Sequence, residues 1–119
     1  GTVTGVQTCA LPISAMWREL EEEVGLQRGQ SDCINAWALE GVHPFYLVRS
    51  DCIYLSPRFV VEVSAAWEPR LNHENSGVRW IPRDAVDRCF MFPGQRAAIA
   101  EILHDIISCP PGEVHLRMP

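Results

Sequence analysis

Four carboxylates fall within residues 18–26, RELEEEVGL: Glu19, Glu21, Glu22 and Glu23. If this stretch is helical, Glu19, Glu22 and Glu23 stand at i, i+3 and i+4 and project from one face. Two chemistries are open to them. They could form a solvated helix surface, because exposed like-charge pairs cost only roughly 0.2–0.5 kcal/mol each, and Arg18 with Glu22 could be an ordinary i,i+4 pair. They could instead hold a hard divalent cation. Clustered oxygen donors suit Mg2+ or Mn2+, which bridge to substrate phosphates and activate water for attack on phosphorus.

The other reactive residue types form no comparable pattern. His43, His73, His104 and His115 lack the mutual spacing of a ligand set, and only His73, beside Glu74, stays in view. The five cysteines are an odd number, widely spaced and without a CxxC pair. They read as free thiols in a reducing compartment, most of them small core hydrophobes. Trp17, Trp37, Trp67 and Trp80 are expected as core or sheet-edge aromatics.

The elements that must position the carboxylates follow from periodicity. Met16 or Trp17, Leu20 and Val24 make an apolar stripe, so residues 14–24 are expected as an amphipathic helix. Ser14 is its expected N-cap and Gly25 its C-terminal glycine. CINAWALE, FYLVR and CIYL read as strands, the last two separated by the turn SD. RFVVEVSAAW is the strongest strand pattern and is expected to be central and covered on both faces. VRWI is expected as a short strand, and PRDAV as a turn or short helix. Residues 93–107 form the clearest helix, with Ala97, Ile99, Ile102, Leu103 and Ile106 toward the core. Residues 109–119 read as an exposed tail. This order of helix, strands and helix implies an α/β layered domain.

Composition bounds the function. A chain of 119 residues supports one domain with a modest core. Its net charge of −5 argues against nucleic-acid polymers and anionic membranes as partners, and no apolar run is long enough to span a bilayer. A cytoplasmic protein acting on a small molecule is the expectation.

Arg18, Glu19, Leu20, Glu22, Glu23, Gly25 and Leu26 resemble the second half of the Nudix box, Arg-Glu-aliphatic-x-Glu-Glu-x-Gly-aliphatic. The resemblance implies an α/β/α sandwich with a mixed sheet and a Mg2+-dependent (or Mn2+-dependent) hydrolase that cleaves a nucleoside diphosphate linked to another group. It implies Glu19, Glu22 and Glu23 as metal carboxylates, one of them perhaps doubling as base, with Arg18 orienting the acidic side chains. LNHENSGVRWI, residues 71–81, is similar to a segment of nucleotide-type members, LxxEHxEYRWL; Glu74, Arg79 and Trp80 match it, whereas Asn75 and Gly77 stand where His and Glu are expected. That match makes Glu74 a further candidate for metal holding or base chemistry, against an ordinary exposed loop carboxylate. It also points to a nucleoside triphosphate or dihydroneopterin triphosphate as substrate. FPGQRAAIAEIL resembles the last helix of the same branch.

The front of the box does not match: Ala10 stands where the pattern has Glu, and Thr4 where it has Gly. Residues 3–13, VTGVQTCALPI, match the translation of a sequencing-library adapter. The expected organisation is therefore an artefactual leader at 1–13, a partial Nudix domain lacking its first strands at 14–108, and a tail at 109–119. The rival to a hydrolase is a non-catalytic binding domain of the same type, or an inactive fragment.

Overall fold

A computed structural model describes residues 11–74, 76–108 and 112–119. The first helix, α1, spans Pro12–Val24. It starts two residues earlier than expected: Leu11 occupies the N-cap position and Pro12 the first turn, so Ser14 is not the cap. Proline is suited to that position because its missing N–H would have had no helical partner. Gly25 closes the helix at φ 75°, with its backbone N–H directed to the carbonyls of Glu21 and Leu20. This left-handed conformation is strained for any side chain.

Strand β1, Cys33–Ala38, runs antiparallel to β4, Phe59–Val63, with Trp37 opposite Val60 and Ala38 opposite Phe59. The register slips between Cys33 and Asn35, leaving a bulge at Ile34. The intervening chain folds as a separate hairpin, β2 Phe45–Leu47 and β3 Cys52–Tyr54, with Asp51 in the turn at φ 53°. All strand pairings among the described residues are antiparallel, in place of the expected mixed sheet.

The apolar density of residues 58–67 does not make β4 central. Among the described residues β4 has β1 as its sole strand neighbour. The inner position belongs to β1, whose other edge takes an isolated bridge from Trp37 to Arg117 and a bond from the Met118 N–H to the Ala36 carbonyl at 2.8 Å. VRWI forms no strand, and residues 83–89 form a turn followed by a 3-10 helix at Val86–Cys89.

Helix α2, Pro93–Glu101, runs directly into a π-helical segment, Ile102–Ile107. The wider winding changes the buried face. Ala98 and Ile106 are buried with Trp37 and Leu39, and Val60, Ile102 and Leu116 pack against them, so the inward row is 98, 102 and 106.

The last residues are not a solvated tail. Helix α3, Gly112–Leu116, turns Glu113 inward, where its carboxylate accepts a hydrogen bond from Trp37 Nε1 at 2.9 Å and pairs with Arg117. The Arg117 and Trp37 bonds hold the Glu113 carboxyl below its ordinary value. A buried carboxylate without such partners would be costly, so the end of the chain is fastened to the core by charge-assisted bonds. Cys52 and Cys89 are exposed and Cys33 is half-buried, so these thiols are not core residues; Cys9 and Cys109 lie outside the described residues.

Candidate functional site

Helix α1 carries the carboxylates, and its amphipathic pattern decides which way they face. Met16, Leu20 and Val24 turn toward Phe59, Val61 and Val63 on one face of β4, and a hollow of about 290 Å³ remains between helix and strand. Trp67 and Trp80 line the same hollow, their rings meeting edge to face at 6.3 Å and 85°. With the apolar stripe so placed, Arg18, Glu19, Glu22 and Glu23 project outward and are exposed.

Glu19 and Glu23, one turn apart, also line a second hollow of about 350 Å³ with Ala15, Pro57 and Phe59. That hollow lies where α1 passes the start of β4. It brings two of the three candidate metal carboxylates to one concave surface; Glu22 is not among its lining residues. Among the described residues, no ion pair involves Arg18 or these three carboxylates. The neighbouring Glu21 instead accepts a hydrogen bond from Gln27 at 2.9 Å. The outward face of α1 thus carries three negative charges uncompensated by ion pairs within the described chain.

The donor set fits a hard divalent ion in chemistry: carboxylate oxygens only, on one helix face. It is not drawn together. No group of three or more His, Cys, Asp or Glu converges closely enough to hold an ion among the described residues. An arriving ion would have to gather these side chains by rotamer changes at the helix surface.

Glu74 lies in a turn of the segment after β4; it is exposed, and its backbone N–H donates to Asn72 Oδ1 at 3.1 Å. The same segment is tied to the end of α1, since the Arg70 N–H donates to the Val24 carbonyl at 2.8 Å and Arg70 lies over Gly25. A Cβ on Gly25 would come within 3.2 Å of Arg70 Cβ. The glycine of the motif therefore serves both the helix stop and the approach of the segment that bears Glu74. His73 is exposed beside Glu74, and Asn75 lies outside the described residues.

Leu26, the last residue of the motif, is 2 % exposed, the most deeply buried side chain among the described residues. Trp37 sits in the core as expected, but Trp80 is 65 % exposed and belongs neither to the core nor to a sheet edge. Two neighbours of the site escaped sequence reading, Pro57 and Phe59. They precede or open an apolar strand, and nothing in their types distinguishes a wall of a charged hollow from sheet packing.

A family model described as NUDIX domain matches residues 6–105. No curated protein and no solved structure matches the chain.

Proposed function

Because the chain belongs to the NUDIX domain family, whose members hydrolyse phosphoric anhydrides, we propose that it cleaves the diphosphate linkage of a nucleotide-type substrate with Mg2+ or Mn2+. The observation that carries this reading is the face of α1. Glu19, Glu22 and Glu23 follow the motif's spacing, are exposed and have no ion pair among the described residues, and Glu19 and Glu23 border a concave surface.

Glu19, Glu22 and Glu23 are the residues that would hold the cation. Once bound, the ion offsets phosphate charge and makes a water nucleophilic near neutral pH. Arg18 steadies the carboxylates by charge-assisted hydrogen bonds as their side chains gather. Glu74 takes the proton from the attacking water, carried toward α1 by the segment that Arg70 ties to Val24. A nucleoside triphosphate or dihydroneopterin triphosphate is the proposed substrate, on the match of Glu74, Arg79 and Trp80. The free thiols of Cys33, Cys52 and Cys89 support a cytoplasmic setting, and no described helix is long and apolar enough to cross a membrane.

A second reading, a binding domain without turnover, is favoured by one observation: the carboxylates do not converge into a three-ligand group. Phosphate and pyrophosphate release with a nucleotide panel, in Mg2+ or Mn2+, separates the two. Metal-dependent release from at least one nucleotide is expected. Binding of the ion with no release from any substrate supports the second reading. Glu22→Gln and Glu23→Gln should each lower kcat by roughly a hundredfold or more. Unchanged turnover in both variants would remove the metal assignment.

A further inference from the structure

The largest cavity, about 600 Å³, lies away from α1, between the β2–β3 hairpin, the segment entering β4 and the start of α2. The chain alternates around the start of β4. Pro57 and Phe59 face the hollow that Glu19 and Glu23 border, whereas Ser56 and Arg58 line this cavity. The two sites therefore use different side chains of one short segment.

Three observations define what the cavity would accept. The first is an unmet donor. The Nε–H of Arg58 is buried with no hydrogen-bond acceptor among the described residues, an arrangement that costs about 1–3 kcal/mol until an acceptor arrives. The second is charge. No Asp or Glu is among the residues lining the cavity, while Arg58 and His43 are. Pro93 and Gly94, which open α2, add the positive end of a helix without a side-chain cap hydrogen bond. A Cβ on Gly94 would meet Arg58 Nη2 and His43 Cβ at 3.2 Å each, so the missing side chain lets backbone, guanidinium and imidazole border one space. The third is the apolar wall. Phe45, stacked on Tyr54 at 5.5 Å and 14°, stands with Tyr46 and Phe92 around the same cavity. Tyr46 is oriented by the bond from its hydroxyl to Asp51 at 2.6 Å.

A buried unpartnered guanidinium N–H calls for an anionic acceptor, and aromatic walls call for a flat apolar body. We propose that this cavity is a second ligand site, which binds a small planar aromatic anion, its phosphate or carboxylate on Arg58 and its ring against Phe45 and Phe92. The site stands independently of the carboxylates on α1.

Titration of the 15N-labelled full chain with phenyl phosphate and with benzoate tests it, with inorganic phosphate and benzyl alcohol as controls. Saturable shifts at the Gly94 and Gln95 amides and at Arg58 Nε–H are expected for at least one aryl anion. The stronger of the two identifies the anion as phosphate or carboxylate. Binding is expected to weaken about tenfold or more in Arg58→Gln, which removes the charge-assisted bonds, and to persist unchanged in Glu22→Gln. No saturable shift with either aryl anion, or inorganic phosphate binding as tightly as phenyl phosphate, would overturn the proposal. Should Arg58→Gln fail to fold, Phe92→Ala decides, since Phe92 is 57 % exposed. Loss of ring-dependent affinity in that variant supports the site, and unchanged affinity overturns it.

Discussion

At the scale of single residues, the carboxylates of this chain divide by environment. Glu113 is buried and satisfied, whereas Glu19, Glu22 and Glu23 are exposed and without ion pairs among the described residues. Their responses to conditions should differ accordingly. Glu113 has a depressed carboxyl value in the folded chain, its Arg117 bond the larger cause and its Trp37 bond the second. Its stabilisation is therefore complete above the ordinary value of 4.5 and is lost as pH falls below that through the depressed folded value. Melting temperature against pH should show the wild type losing its advantage over Glu113→Gln in that acid window. An unchanged gap would mean that the carboxylate contributes no charge-dependent stability. For the exposed trio the variable is metal. Saturating Mn2+ should raise the melting temperature, by an amount equivalent to roughly 2.7 kcal/mol at a hundredfold excess over Kd. EDTA should reverse the rise, and Glu22→Gln should diminish it.

At the scale of elements, the helix of the motif was legible because its apolar stripe, its glycine stop and its acidic face all agree. The strands at 33–38 and 59–63 and the hairpin between them were legible for a similar reason, from β-branched runs broken by turn residues. Three things were not. Residues 58–67 are apolar enough for a central strand, but composition reports burial and not neighbours, and β1 holds the inner place. VRWI has a strand-forming composition and no partner edge to pair with, so it stays irregular beside Trp67. The final residues looked like a tail because two prolines and polar residues dominate, whereas one long-range bond from Trp37 to Glu113 decides their placement. The site was legible to the extent that it lies on one helix. Its concave wall at Pro57 and Phe59 comes from distant sequence and left no local mark. Gly25 tests how α1 is joined to the segment bearing Glu74. Gly25→Ala combines a positive φ with a 3.2 Å approach to Arg70 and should cost about 1 kcal/mol or more in denaturant unfolding. A neutral effect would show that the helix end and Arg70 adjust freely.

At the scale of the whole molecule, the described chain is loosely filled. Its radius of gyration, 15.4 Å, exceeds the roughly 13.5 Å expected for a compact domain of this length. Hollows separate α1 from β4, while Leu47, Ile53, Val78 and Met91 are exposed. Stability then leans on few side chains. Leu26→Ala should cost about 2–5 kcal/mol, enough to unfold much of the population at 37 °C, and circular dichroism melts would register it. The π-helical segment Ile102–Ile107 also bears on insertions and deletions. Each residue of an α-helix advances the winding by about 100°, so the extra room in a π turn behaves like an accommodated insertion. Deleting the exposed His104 would let ordinary α winding resume, yet rotate everything after it, carrying Ile106 off the core and Glu113 away from Trp37. This stretch should therefore tolerate substitution at its surface positions far better than any change of length, and its phase, more than its composition, is what a descendant sequence would have to keep.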